Sequence, residues 1–200
     1  MIVYYKQWLC GKIELVKIDY KGILWFKLKK EPFSFDDDIY VCVCYIPPEN
    51  SQVYRNPNSE LFEFDFFEKI NDDILQFSER GQIFLTGDTN SRVGERPDYV
   101  ERLDIDRYVD IPDDEPVFNI VTERKSKDVI VNTFGNKLLS LCKDNNLCIV
   151  NGRLDEGHFT CYSVKRRIVG ASAGKAVNQI SYLKIYKINV LSLMKSAKSL

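Results

Sequence analysis

Carboxylates end abruptly late in the chain, because Glu156 is the last of its 29 aspartates and glutamates. Up to Glu156, these 29 acidic residues stand against 20 lysines and arginines, a formal charge of −9. Residues 157–200 carry eight basic residues and no acidic one, a charge of +8. This difference in charge separates the chain into two segments of different character. We therefore predict a folded domain over residues 1–163 and a basic tail over residues 164–200.

The overall composition is typical of a globular protein. Of the 200 residues, 44% are apolar and 28% are charged, which excludes a wholly disordered or collagen-like chain. No apolar run approaches the roughly 18 residues that a transmembrane helix needs. The first residues also lack the basic start and apolar block of a secretion signal. We expect an intracellular protein of the cytoplasm or nucleus, not a secreted one. The sequence does not indicate an oligomeric state.

The six cysteines include no CxxC pair. Cys42 and Cys44 are two residues apart in a strand-like run, which places both side chains on one face of a sheet. Scattered cysteines in an intracellular protein are usually reduced. We therefore predict that these two are core thiols rather than metal ligands.

Runs of β-branched and aromatic residues predict a series of strands. They lie at residues 23–29, 38–46, 82–86, 147–150 and 158–163. Pro47 and Pro48 stop the second strand, because proline cannot donate to a ladder. Residues 91–132 are long, polar and acidic, and they predict a solvated loop rather than a calcium or other metal site.

Helical spacing of apolar residues predicts two helices. The first covers residues 59–78, with Asn58 or Ser59 as its N-cap. Its core-facing stripe consists of Phe67, Ile70, Ile74 and Phe77. The second helix covers residues 136–145.

Asp88 and Asn90 are the residues that point most clearly to chemistry. They follow a predicted strand directly, behind Gly87, and residues two apart in an extended chain point the same way. A carboxylate at this position can orient and deprotonate water or bind a hard cation, and a carboxamide can donate to a phosphoryl oxygen. Together they suit metal-assisted attack on a phosphodiester. An Asx turn needs the same residue types without any catalytic role, so both interpretations stay open.

The basic tail also has two interpretations. Residues 164–200 begin with a basic run and continue as a basic amphipathic stretch. Such a stretch can contact nucleic acid or lie on a membrane surface. The simpler interpretation is a disordered segment that is foreign to the domain, and we favour it.

Four segments occur in an order that is typical of one nuclease family. They are YIPP at residues 45–48, GDTNSR at 87–92, NTFGNKLL at 132–139 and NLCIVNGR at 146–153. In this order, and with a helix after the first, they resemble the endonuclease/exonuclease/phosphatase superfamily. The narrower resemblance is to the apurinic-endonuclease-like domain of animal non-LTR retrotransposons. It extends from about residue 3 to residue 163.

This resemblance implies a fold, a cofactor and residue roles. The fold would be a partial four-layer α/β/β/α sandwich of the DNase I-like kind, and the reaction Mg²⁺- or Mn²⁺-dependent hydrolysis of phosphodiesters in DNA. Asp88 would activate the attacking water and bind the metal, and Asn90 would hold the scissile phosphate. Tyr54 is a candidate for the family's phosphate-contacting tyrosine, although a surface role explains it as well. Arg92 is a candidate phosphate ligand or an ordinary surface arginine.

Several features of the family have no counterpart in this sequence. Members begin with two further segments, one of which bears a metal-binding glutamate, and they end with two aspartates and a catalytic histidine. Here the only histidine is His158, outside that context, and no acidic residue follows Glu156. We therefore expect impaired or absent activity of this chain by itself. The alternatives are a non-catalytic remnant of the nuclease and a nucleic-acid-binding module that uses the basic tail.

Overall fold

The computed structural model describes residues 4–19, 21–99, 124–126, 128–153 and 183–187, the last five by their backbone alone. These residues form a mixed α/β structure with one six-stranded sheet and two helices. The strands are β1 (Ile13–Asp19), β2 (Ile23–Leu28), β3 (Ile39–Tyr45), β4 (Gln82–Asp88), β5 (Leu147–Ile149) and β6 (Leu183–Lys187). The helices are α1 (Phe66–Ser78) and α2 (Thr133–Asp144).

The strand directions bring several loops to one edge of the sheet. The order across the sheet is β1-β2-β3-β4-β6-β5. Strands β1, β2 and β3 pair antiparallel, β3 and β4 pair parallel, and β6 is antiparallel to both β4 and β5. Strands β3, β4 and β5 therefore run in the same direction, and their carboxyl ends meet at one edge. We call this edge the carboxyl edge.

Helix α1 starts later than the sequence predicts. The predicted start at residue 59 is wrong, because Glu63 adopts a left-handed backbone with φ of 55° and interrupts any helix there. Asp65 is the N-cap, and its side chain accepts hydrogen bonds from the backbone N–H groups of Phe67 and Glu68. The predicted apolar stripe is confirmed, since all four of its residues are buried.

Helix α2 starts earlier than predicted, at Thr133 rather than residue 136. The side chain of Asn132 accepts a hydrogen bond from the backbone N–H of Gly135 at 2.7 Å and caps the helix. The four predicted strands that lie in the described residues are confirmed, with ends that differ by one or two residues. The predicted strand at residues 158–163 and His158 lie outside the described residues.

The main core lies between the sheet and the two helices. It includes Trp25, which packs edge-to-face on Phe77 with ring centroids 5.0 Å apart. Cys42 and Cys44 are both buried on this face as free thiols, as the sequence predicts. Burial raises the pKa of the Cys42 thiol well above its ordinary value, so the thiol stays protonated.

Strand β6 comes from residues 164–200, which the charge pattern sets apart as a basic tail. Its backbone pairs with β4 on one side and β5 on the other, so these five residues belong to the sheet of the domain. Within the described part of the chain, no helix is long and apolar enough to cross a membrane.

Candidate active site

Strand β4 carries Asp88 to the carboxyl edge through a glycine that the packing requires. Gly87 has a φ of 127°, and a Cβ atom built on it would lie 1.9 Å from the carbonyl oxygen of Cys44. Only glycine fits there, because both the backbone angle and the close approach to β3 exclude a side chain. The Asp88 carbonyl oxygen then accepts a hydrogen bond from the Ile46 N–H at 2.8 Å, which fixes the end of β4 against the end of β3.

The Asp88 carboxylate has one oxygen engaged and one open. Oδ1 accepts a hydrogen bond from the backbone N–H of Asn90 at 3.0 Å, which makes the Asx turn that the sequence allows. No donor among the described residues contacts Oδ2. The turn and the catalytic interpretation are therefore compatible, since the turn occupies only half of the carboxylate.

Asn90 is held beside Asp88 by a different geometry from the predicted one. The prediction assumed an extended backbone, but Asn90 adopts a left-handed conformation with φ of 50°. Its Nδ2 donates to the carbonyl oxygen of Ile46 at 2.8 Å. A carboxamide has two N–H donors and one acceptor oxygen, so one N–H and the oxygen remain without a partner among the described residues.

Asn132 fixes this loop to the start of α2. Its Nδ2 donates to the Asn90 carbonyl oxygen at 2.9 Å, and its Oδ1 accepts from the Arg92 N–H at 2.9 Å as well as from Gly135. Ser91 adds a hydrogen bond from its hydroxyl to the carbonyl oxygen of Phe134 at 3.2 Å. Asn132 is not a candidate from the sequence, because the predicted helix begins at residue 136 rather than at Thr133, where an asparagine just before it is a recognisable cap.

Arg92 is not available to a phosphate in this structure. Its Nε and Nη2 donate to the two carboxylate oxygens of Asp128 at 2.8 and 2.7 Å. The hydrogen bonds from the guanidinium also lower the pKa of Asp128. This bidentate pair gives Arg92 a structural partner and favours the surface role among the two that the sequence leaves open.

Tyr54 is close to the same segment through its hydroxyl group. The hydroxyl donates to the carbonyl oxygen of Pro47 at 2.9 Å, next in sequence to the Ile46 carbonyl that Asn90 contacts. The ring packs edge-to-face on Phe66 and Phe134. Burial first, and then the nearby charges of Tyr45 and Asp65, raise the pKa of Tyr54 to about 12. Tyr54 therefore stays protonated and supports the segment after β3.

A cavity of about 220 Å³ lies beside Tyr54. Carboxylate and aromatic side chains line it, including Glu49, Asp65 and Phe134. Lys137 also lines the cavity, and its ammonium group forms an ion pair with Asp65. Asp88 and Asn90 do not belong to this lining, so the cavity is next to the loop rather than part of it.

Asp88 is the candidate metal ligand at the carboxyl edge. Among them no group of three histidine, cysteine, aspartate or glutamate side chains is placed to hold a metal ion. The open Oδ2 of Asp88 can contribute one oxygen ligand. Most of the predicted acidic loop lies outside the described residues.

Comparison with known proteins adds no family assignment. No protein-family model matches the chain, and no curated protein matches its sequence.

Proposed function

We propose that this chain is a divalent-metal-dependent phosphodiesterase that acts on DNA, of the retrotransposon endonuclease kind. The observation that supports this most strongly is the half-open carboxylate of Asp88. It lies at the carboxyl end of β4, in a loop that the backbone of β3 and the side chain of Asn132 hold in place.

The reaction would use the remaining polar groups of the two loop residues. Oδ2 of Asp88 accepts a hydrogen bond from a water and takes its proton as the water oxygen attacks phosphorus. The unused N–H of the Asn90 carboxamide donates to a non-bridging phosphoryl oxygen, on which negative charge increases. The bond from phosphorus to the leaving oxygen then breaks, and the leaving oxygen takes a proton from solvent water. Since few groups participate, we expect slow hydrolysis.

Mg²⁺ or Mn²⁺ is the metal that suits these residues. Mg²⁺ commonly uses one or two carboxylates and keeps several waters, so Asp88 would be its protein ligand. One lone pair of Oδ2 would bind the metal, and the other would accept the hydrogen bond from the attacking water. When bound, the metal supplies positive charge that stabilises the transition state. An oxygen-only site favours these two ions over softer metals.

A four-layer α/β/β/α sandwich is the architecture that we propose for the complete domain. The helices cover one face of the sheet, and the core cluster lies on that side. Val41 alternates with Tyr40 and Cys42 and therefore points to the other face. Its exposed fraction is only 4%, although it does not belong to the core cluster beneath the helices. A second apolar layer on this face is what the sandwich requires.

Nicking of supercoiled plasmid DNA tests the proposed function. We expect the purified chain to nick the plasmid with Mg²⁺ and not with a chelator, and Asp88→Asn to reduce the rate at least about 100-fold. Asp144→Asn, an exposed carboxylate at the far end of α2, is the matched control and should leave the rate unchanged. Equal nicking by wild type and Asp88→Asn would contradict the proposal. A folded wild type that binds DNA but never nicks it would favour the non-catalytic binding module.

A further inference from the structure

We propose that Arg96 and Lys125 form a phosphate-backbone contact for DNA beside the Asp88 loop. This inference rests on the proposed function and deepens it, because it names the side chains that would hold the substrate. Neither residue was a candidate from the sequence. We call the two side chains the basic pair.

Two asparagines on one face of α2 hold the loop from Asn90 to Arg96. Asn132 contacts the backbone of Asn90 and Arg92, and Oδ1 of Asn136 accepts a hydrogen bond from Nη1 of Arg96 at 2.9 Å. Residues four apart lie on the same side of a helix, about 6 Å from each other. The guanidinium of Arg96 is therefore held one helical turn from the asparagine that fixes the candidate active site.

The backbone of Lys125 lies at the same edge, next to the end of β5. Its backbone N–H donates to the Gly152 carbonyl oxygen at 3.0 Å, just after β5. Gly152 is needed for this contact, because a Cβ atom on it would lie 2.0 Å from the Lys125 carbonyl oxygen. The neighbouring Arg124 donates from Nη2 to the Arg96 carbonyl oxygen at 2.9 Å. These bonds tie the segments of Arg96 and Lys125 together.

Unlike Arg92 and Arg153, the basic pair forms no ion pair with a carboxylate of the described residues. Arg92 is paired with Asp128, and Arg153 donates to both oxygens of the buried Asp98 at 2.7 and 2.6 Å. Arg96 and Lys125 are exposed, and no carboxylate of the described residues forms an ion pair with either. The exposed Glu95 precedes Arg96 in sequence, and its Oε1 accepts from the Ser126 N–H at 3.5 Å rather than pairing with either cation. The positive charge of the pair is therefore available to a polyanion.

Phosphate groups are the partner that this arrangement fits. Lysine and arginine side chains neutralise DNA phosphates and release condensed counterions, so each contact contributes about −0.9 to the slope of log K against log salt. Contacts of this kind position the duplex but do not read its sequence. The basic pair would hold a phosphate near the scissile one without making the protein sequence-specific.

The test is equilibrium binding of a fluorescent DNA duplex, measured by anisotropy at several salt concentrations in the presence of a chelator. We expect Arg96→Gln and Lys125→Gln each to weaken binding and to make the salt slope less steep by about 0.9. Lys143 is an exposed lysine about 15 Å along α2 from its first residue, Thr133. Lys143→Gln is the matched control and should change neither the affinity nor the salt slope. Arg96→Lys keeps the charge and should retain the slope, which separates lost charge from lost folding.

Two outcomes would overturn this inference: a wild type that does not bind the duplex, or variants of the basic pair that match Lys143→Gln. Binding with a chelator present needs no hydrolysis. The protein could therefore show the expected binding by the basic pair and yet never nick plasmid. That result would contradict the proposed nuclease function and leave the inference intact.

Discussion

Two aspartates on the same domain, Asp73 and Asp88, show opposite uses of a carboxylate. Asp73, on α1, is 1% exposed and accepts hydrogen bonds from Trp25 Nε1 at 2.9 Å, Lys69 Nζ at 2.9 Å and Lys17 Nζ at 2.5 Å. The carboxylate of Asp88, at the end of β4, accepts one hydrogen bond among the described residues, from the backbone N–H of Asn90.

The difference indicates which carboxylate serves stability and which is available for chemistry. A buried carboxylate must have its charge and lone pairs satisfied, and Asp73 has three donors from the sheet and its own helix. Asp88 is only partly buried and keeps one oxygen open. Loss of Asp73 should therefore destabilise the fold, whereas loss of Asp88 should leave the fold and remove the reaction.

The largest stability effect is expected from Asp73→Ala. The substitution leaves the Trp25 indole N–H buried without an acceptor and two ammonium groups without their anion, so unfolding should become easier by about 3 kcal/mol. Urea denaturation followed by circular dichroism measures this. Asp72→Ala, the exposed neighbour on α1, is the control and should stay within about 0.5 kcal/mol of wild type. Equal destabilisation by Asp72→Ala and Asp73→Ala would contradict the structural role assigned to Asp73.

Asn132 tests how firmly the Asp88 loop depends on α2. Asn132→Ala removes the helix cap and the bond to the Asn90 carbonyl oxygen, and we expect a loss of about 1–2 kcal/mol in unfolding free energy. Asn132→Ser keeps a capping oxygen but cannot donate to Asn90 from an amide. It should recover most of the stability while nicking stays low, as plasmid assays of both variants would show. If Asn132→Ser restores both the stability and the nicking rate, the loop needs only the capping oxygen and not the hydrogen bond to Asn90.

Asp98 provides a second satisfied carboxylate with a predictable dependence on pH. Burial opposes its charge, but hydrogen bonds from Arg153 and from the Ile149 N–H outweigh burial and lower the pKa of Asp98. A carboxylate whose pKa is lower in the folded than in the unfolded protein stabilises the fold at pH values above its unfolded pKa of about 4. This stabilisation disappears as the pH falls through the folded pKa. As the pH falls from about 6 to about 2, loss of this contribution should lower the free energy of unfolding by at most about 1.4 kcal/mol per pH unit. Urea denaturation at each pH measures it. Asp98→Asn should flatten that dependence, and an unchanged profile would contradict the assignment.

Tyr54→Phe should give the smallest effect. The substitution removes only the hydroxyl that donates to the Pro47 carbonyl oxygen, so we expect a loss of about 1 kcal/mol in unfolding free energy. Thermal unfolding of the variant measures the loss. A large fall in DNA affinity without any loss of stability would instead support the phosphate-contacting role that the family resemblance implies.

The elements that the sequence predicts best are those with a strong apolar period. The stripe of α1 and the strands β2, β3 and β4 form by burial of apolar side chains. The spacing of these side chains along the sequence shows which face is buried. The start of α1 was placed too early because the left-handed Glu63 gives no apolar signal. Strand β6 was missed because its place depends on long-range pairing with β4 and β5.

The candidate site was predictable in its residues but not in its contacts. Asp88 and Asn90 stand out because a polar pair follows an apolar strand. Their supports come from distant parts of the chain: Ile46 lies 44 residues before Asn90, and Asn132 lies 42 residues after it. No local pattern connects these positions. For the same reason, the ion pair that engages Arg92 was not visible in the sequence.

The most direct test of this account measures nicking and unfolding on the same preparation of Asp88→Asn. We expect a nicking rate at least about 100-fold below wild type, with an unfolding free energy within about 1 kcal/mol of the wild-type value. A variant that nicks as fast as wild type, or one that unfolds as easily as Asp73→Ala, would contradict the claim that Asp88 is kept for chemistry.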